Sequence, residues 1–364
     1  MKYLCLIPSI FFLLSRPLTT DAQRPLSIDS IVSPLLEQNK FSGTVLLAKN
    51  GTIVYQHTAG FSDASTSTPL SASSLFSIAS TGKLFTAVII EKLIEKGQLR
   101  LDQTIDQLLP DAGIPYSKEI TIKQLLTHTA GMGNYMMHPR YLEMLDTIRN
   151  SETIFQLVKE SSGTGTAPGR EHLYSNSGYI VLGKIIERVT GLSYEEALQK
   201  FILKPAKMEG LVFRRTSPGN KNIATAHLKA SDGKTWKPAT SAPFPAADGG
   251  LYATAANLLH FDQAFYGNQL IPEKRRKEML EQAVEASLPG LGKIRYGFGI
   301  MRFDYANGSF SLGHNGGFPG YGCEYRHYFL PDGTEYTLII NSNYDRSIRP
   351  LLFKIEALLT SSHF

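Results

Sequence analysis

Residues 76–85 read Phe-Ser-Ile-Ala-Ser-Thr-Gly-Lys-Leu-Phe, and the relation of Ser80 to Lys83 inside them decides the fold. A serine and a lysine three apart at the start of a helix lie on one face, one above the other. A serine hydroxyl is a poor nucleophile until a base takes its proton. A lysine serves as that base only when neutral, and apolar neighbours such as Phe76, Ile78, Leu84 and Phe85 favour the neutral form. A helix start also supplies backbone N–H donors where an oxyanion would develop. The tetrad therefore fits acyl transfer. Alone, it reads equally well as a serine helix cap followed by a solvated lysine. The chain carries its own control: Ser231-Asp-Gly-Lys234 has the same spacing, in a polar loop with no apolar helix after it. That copy reads as chance, and Lys234-Thr235-Trp236 beside it is a poor imitation of a Lys-Thr-Gly box because no strand is expected around it.

Two further segments tip the balance. Tyr174-Ser175-Asn176 precedes an apolar-periodic run from Tyr179 to Val189. A tyrosine hydroxyl can relay a proton when a cation is near, and an asparagine amide can orient a carbonyl and contact a lysine. His314-Asn315-Gly316-Gly317 lies on or beside a strand, and its glycines let a substrate backbone approach closely. The Gly317 N–H can complete an oxyanion hole with that of Ser80.

Other chemistries lack their motifs. There is no His-Glu-x-x-His, no paired Cys spacing, no phosphate-cradling Gly-rich loop and no Gly-x-Ser-x-Gly elbow. The net charge of +5 comes without a basic stripe interleaved with aromatics, so nucleic acid is not an expected partner. A hydrophobic share of 42% in 364 residues describes a folded chain able to bury a sizeable core.

The element pattern runs strand, helix, strand. Gly43 to Lys49 and Thr52 to Ala59 read as a hairpin around Asn50-Gly51. The stretch from Ser80 to Leu258 is mostly helical. Strands return at Phe310–Leu312, Glu324–Leu330 and Glu335–Asn341, the last two joined by Pro331-Asp332-Gly333, before a helix over about 346–359. The expected fold is α/β (α+β): an antiparallel sheet built from N- and C-terminal segments, flanked by helices, with a mostly helical insertion. The sheet part spans about 28–90 and 250–364, the helical part about 91–249.

In this order, Ser-x-x-Lys, Tyr-x-Asn and His-x-Gly resemble the three motifs of the serine β-lactamase and penicillin-binding superfamily. The connecting phrases Ile120–Gly131, Tyr174–Tyr179, Asp248–Thr254 and Gly313–Gly317 are similar to the branch of class C β-lactamases, D-alanyl-D-alanine carboxypeptidases, D-aminopeptidases and related esterases. The resemblance covers nearly the whole chain from Ile28. It implies a β-lactamase/transpeptidase-like fold, with Ser80 acylated and Lys83 and Tyr174 sharing the proton work. It further implies Asn176, His314, Asn315 and Gly316 as substrate-binding residues, and the N–H groups of Ser80 and Gly317 as the oxyanion hole. No metal and no organic cofactor is implied. The partner would be a small-molecule or peptide substrate, cell-wall peptide included. His128, in one of the phrases, reads as a hydrogen-bonded structural residue. Class C enzymes carry Lys-Thr-Gly where this chain has His314-Asn315-Gly316, which favours D-amino-acid peptides or small esters over β-lactams.

Residues 1–22 read as a secretory signal peptide: Lys2, an apolar run from Leu4 to Leu14, then Ala22 near a cut. Export to the periplasm or medium is expected, with no membrane span left after removal. Cys323 would then be the single thiol. Arg302 and Arg326 are candidates for anchoring a substrate carboxylate.

Overall fold

Asn50 and Gly51 take φ of 47° and 77°, both in the left-handed region that a type I′ turn requires. They fold strand β1 (Gly43–Lys49) back on β2 (Thr52–Ala59), as the sequence pattern predicts. In the computed structural model, residues 28–361 are described except 38–39, 146, 149, 212, 214–221, 240–242, 289 and 345–347. The signal-peptide segment lies outside the described residues.

Beside β1 lies the last strand of the chain. The main sheet has eight strands: β1, β2, then β3 (Val284–Leu288), β4 (Gly292–Tyr296), β5 (Met301–Asp304), β6 (Phe310–Phe318), β7 (Tyr321–Phe329) and β8 (Glu335–Ser342). Their spatial order is β2-β1-β8-β7-β6-β5-β4-β3, and every neighbouring pair in it is antiparallel. The fold class is thus the expected one: a large antiparallel sheet, closed from both chain ends and flanked by helices. Strands β3 to β5 extend it beyond the sequence reading, which began the returning strands at Phe310. These three are short and interrupted by Gly290, Gly292, Gly297 and Gly299, which hides their alternation.

The two faces of the sheet have separate cores. Val45 and Leu47 of β1 face helices α1 (Ile28–Glu37) and α6 (Ile348–Leu359), where they meet Val32, Leu351 and Ile355. Leu46 and Ala48 point the other way, to the core around α2 (Lys83–Glu95). A strand buried on both faces reads as an unbroken apolar run, and β1 does. α2 is buried on nearly every side, from Lys83 and Leu84 through Ile90 to Leu93. That is the signature of a central helix rather than an amphipathic surface one. Around it pack α3 (Ile122–Leu126), started by a Thr121–Gln124 capping box, α4 (Asn176–Thr190) and α5 (Ala255–Tyr266). Two short strands, Phe76–Ser77 and Tyr252–Ala253, pair antiparallel and hold the nucleophile segment in place.

Against expectation, Lys234-Thr235-Trp236 runs into a short strand. Ser231–Lys234 does lie between short paired strands, His227–Lys229 and Trp236–Pro238. It is an exposed turn stapled by Asp232, which accepts from the Lys234 and Thr235 amides and the Thr235 hydroxyl.

Candidate active site

Ser80 sits in the 3-10 turn Ala79–Gly82, and Lys83 opens α2 directly after it. Ala79 is forced to φ 43°, a strained conformation for a non-glycine residue. The Ser77 hydroxyl accepts from the Ala79 amide, and the Gly250 amide donates to the Ala79 carbonyl. The turn leaves Ser80 half-buried while Lys83 is fully buried.

Lys83 Nζ has three partners: Ser80 Oγ at 3.1 Å, Asn176 Oδ1 at 2.6 Å and the Asp248 carbonyl at 2.7 Å. Two of these can only accept, so they fix two N–H bonds. The remaining tetrahedral position points at Ser80. An ammonium donates there; a neutral amine turns its lone pair there. The same geometry therefore serves either direction of proton transfer. Lys83 Nζ also lies 5.2 Å from the centre of the Tyr174 ring, which is half-buried at the same wall.

The second segment is held from below. Tyr174 and Ser175 are the last residues before α4, and Asn176 is its first. Ser175 Oγ donates to the Gly133 carbonyl, and Ser177 Oγ accepts from the Tyr135 amide. Asn176 Nδ2 donates to Asn134 Oδ1 at 3.3 Å and faces Met136 Sδ at 3.2 Å.

The third segment meets the first across the sheet edge. Thr81 Oγ1 lies 3.4 Å from both the His314 carbonyl and Cys323 Sγ. Gly316 passes so close to the Ile78 backbone that a Cβ would stand 2.0 Å from its carbonyl oxygen. At Gly317 the space is open, with nothing within 4 Å of an added Cβ.

His314, Asn315 and Gly316, the expected substrate-binding residues, lie on β6 beside the Ser80 turn. His314 is 1% exposed and both ring nitrogens are engaged, Nε2 with the Tyr296 hydroxyl at 2.9 Å and Nδ1 with the Asn315 carbonyl at 2.6 Å. Burial, then the Lys83 cation, pushes its pKa down to about 3. Asn315 follows strand alternation onto the face of Ser311, whose hydroxyl bonds to Tyr305 near α6. Gly316 is a packing glycine. Within the third segment the open space lies at Gly317.

The arginine candidates leave the site. Arg326 is buried, paired with Glu324 and stacked over Phe303; Arg302 pairs with Asp304 and lies over Phe310. His128 is buried and hydrogen-bonded as expected, through Tyr296 and the Ser175 amide. Burial, then Lys83, His172 and His314, holds it well below the usual histidine range.

Sequence reasoning passed over Asp248, Tyr296, Asn134 and Met136. Asp248 acts mainly through its backbone carbonyl, and its carboxylate accepts from the Tyr135 hydroxyl at 2.9 Å. Burial raises its pKa against the opposing pull of Lys83. A carbonyl has no residue-type signal, so only the phrase Asp248–Thr254 pointed there.

A serine, a buried lysine and a tyrosine gathered between an eight-stranded antiparallel sheet and a helical cluster define an acyl-transfer class of site. Comparison with known proteins agrees. The Beta-lactamase family model matches residues 28–354, so the chain belongs to that family, within the superfamily of serine β-lactamases and penicillin-binding proteins. It is 32% identical over 309 residues to Penicillin-binding protein 4* of Bacillus subtilis (strain 168), covering 81% of this chain and 67% of that one. A penicillin binding protein from Bacillus halodurans superposes with a TM-score of 0.77 at 25% identity, over 91% of this chain and 99% of its own. A D-amino acid amidase from Ochrobactrum anthropi SV3 shares the fold at TM-score 0.77 and 22% identity, over 93% and 100%. The chain is thus a serine hydrolase of this superfamily.

Proposed function

We propose that the protein hydrolyses amides, peptides or esters through an acyl-Ser80 intermediate, with D-amino-acid peptides and small esters ahead of β-lactams. The observation that carries this reading is the three-point seat of Lys83, which aims its last position at Ser80 Oγ. Ser80 Oγ bonds to the carbonyl carbon while its proton passes to Lys83 or Tyr174, which act as one unit. The carbonyl electron pair moves to oxygen, where the N–H groups of Ser80 and Gly317 receive it. One donor in such a hole is worth about 3 kcal/mol. Collapse expels an amine or alcohol that takes back the proton. Water, deprotonated by the same pair, then releases the acid and frees Ser80.

The neutral His314 supports the preference order. A lysine in its place would offer a fixed cation to the carboxylate of a β-lactam. The fold shared with a D-amino acid amidase supports amide substrates of that kind. A second reading has its own support: the relative named Penicillin-binding protein 4* favours acylation of Ser80 by penicillin. Export rests on the composition of residues 1–22. Among the described residues no helix is long and apolar enough to cross a membrane.

A panel separates these readings: a short-chain nitrophenyl ester, a D-amino-acid amide and a fluorescent penicillin, each with wild type and Ser80→Ala. Hydrolysis of the first two without stable penicillin label supports the reading. Persistent label supports penicillin binding, and rapid loss of label a β-lactamase. Hydrolysis unchanged in Ser80→Ala overturns the mechanism.

A further inference from the structure

We propose that His128 is a positioning residue for Tyr174, acting through a one-way hydrogen-bond chain that runs from the Ser175 amide through His128 and Tyr296 to His314. The proposal rests on the reading of Ser80, Lys83 and Tyr174 as the acylation centre.

His128 brackets Tyr174 on both sides. Its carbonyl accepts from the Leu173 amide at 2.8 Å, and its Nδ1 accepts from the Ser175 amide at 3.2 Å. Reaching both requires a backbone turned to φ 56°. Its ring lies over the Tyr174 ring, 4.1 Å between centroids and tilted 35°. One residue thus holds the amides before and after Tyr174 and packs on its side chain.

The proton positions follow from the donor-only and acceptor-only ends, and Tyr179, the other hydroxyl beside Tyr296, gives its own proton to the Leu126 carbonyl at 2.9 Å. An amide can only donate, so His128 Nδ1 is bare and the proton of the neutral ring sits on Nε2. That N–H donates to the Tyr296 hydroxyl at 3.1 Å. At the far end a carbonyl can only accept, so His314 Nδ1 carries its proton toward the Asn315 carbonyl. His314 Nε2 is therefore bare and accepts from Tyr296 at 2.9 Å. Tyr296 and both histidines are buried. Lys83, His172, Tyr174, Tyr179, Tyr296 and His314 are the titratable groups facing the His128 ring. A proton added to His128 would break the Ser175 bond and set a second cation beside Lys83. The chain thus ties the second motif to the third and fixes both imidazoles as neutral, opposite tautomers.

The test uses His128→Phe, which keeps a ring against Tyr174 but loses both nitrogens, and His128→Asn, which keeps a short acceptor for Ser175. With a nitrophenyl ester, His128→Phe should lower kcat about 100-fold while KM changes less than about two-fold, the cost expected of a misplaced catalytic group. His128→Asn should recover part of that loss. A wild-type kcat in a folded His128→Phe overturns the proposal, as does an equal fall in both variants that tracks lost thermal stability. Nitrogen-detected NMR of the imidazoles reads the chain without activity, and still decides if His128→Phe fails to fold. The expected result is Nε2–H on His128 and Nδ1–H on His314, with His314 losing that fixed state in Tyr296→Phe; the reverse tautomer on His128 overturns the proposal. If Ser80→Ala keeps full hydrolysis, the parent reading falls, while the tautomers still decide the chain.

Discussion

Lys83 has two acceptor-only neighbours in a buried place, and that fixes what its replacement costs. Lys83→Met leaves Asn176 Oδ1 and the Asp248 carbonyl without their donor. A buried polar group stripped of its partner costs about 1–3 kcal/mol. The variant should therefore lose ester hydrolysis and also melt earlier, seen in a thermal unfolding curve beside kcat. Full activity with an unchanged melting temperature contradicts the seat described for Lys83. At this scale the sequence was partly legible. Ser80, Lys83, Tyr174 and Asn176 carry side-chain chemistry at readable spacings. Tyr296 and the Asp248 carbonyl matter through partners far away in sequence, which no local pattern encodes.

Strand β6 carries two neighbouring glycines with opposite tolerances. A Cβ at Gly316 would meet the Ile78 carbonyl at 2.0 Å, both partners being backbone, whereas Gly317 opens into free space. Gly316→Ala should displace the Ser80 turn and abolish hydrolysis. Gly317→Ala should change stability by less than about 0.5 kcal/mol, as for a surface change. Circular dichroism melts with ester assays on both variants check the contrast. An active Gly316→Ala would show that β6 does not press on the nucleophile turn. The hairpin β1–β2 and strands β6 to β8 were legible because alternation and turn residues agree there. Strands β3 to β5 were not, since strands of four or five residues among glycines leave too little period to read.

Across the whole molecule, the sheet is tied to its helical cover by a buried charge pair. Asp262 of α5 accepts from Tyr325, His327 and Thr337, on β7 and β8, at 2.7–2.9 Å. Burial alone would lower the His327 pKa, but Asp262 and Glu335 outweigh it and raise it to about 9. An unfolded histidine titrates near 6.5. The folded form binds its proton more tightly, so this pair contributes stability in full below about pH 6.5 and loses it as pH rises through about 9. The neutral His128 and His314 act in the opposite sense, and their contribution falls as pH drops below about 6.5. Melting temperature followed from pH 6 to 10 should decline for wild type by more than for His327→Gln. Parallel declines contradict a protonated His327. That one sheet takes strands from both chain ends was legible, because strand patterns lie at both ends with helices between. The buried pairs were not, since they join residues 65 positions apart.

The central claim is that Ser80 is the nucleophile, and intact-protein mass spectrometry after brief exposure to an activated ester whose acyl group is released slowly tests it most directly. A single acyl adduct on the peptide containing Ser80, absent from Ser80→Ala, is the predicted result. An adduct on another residue, or one that persists in Ser80→Ala, contradicts the account.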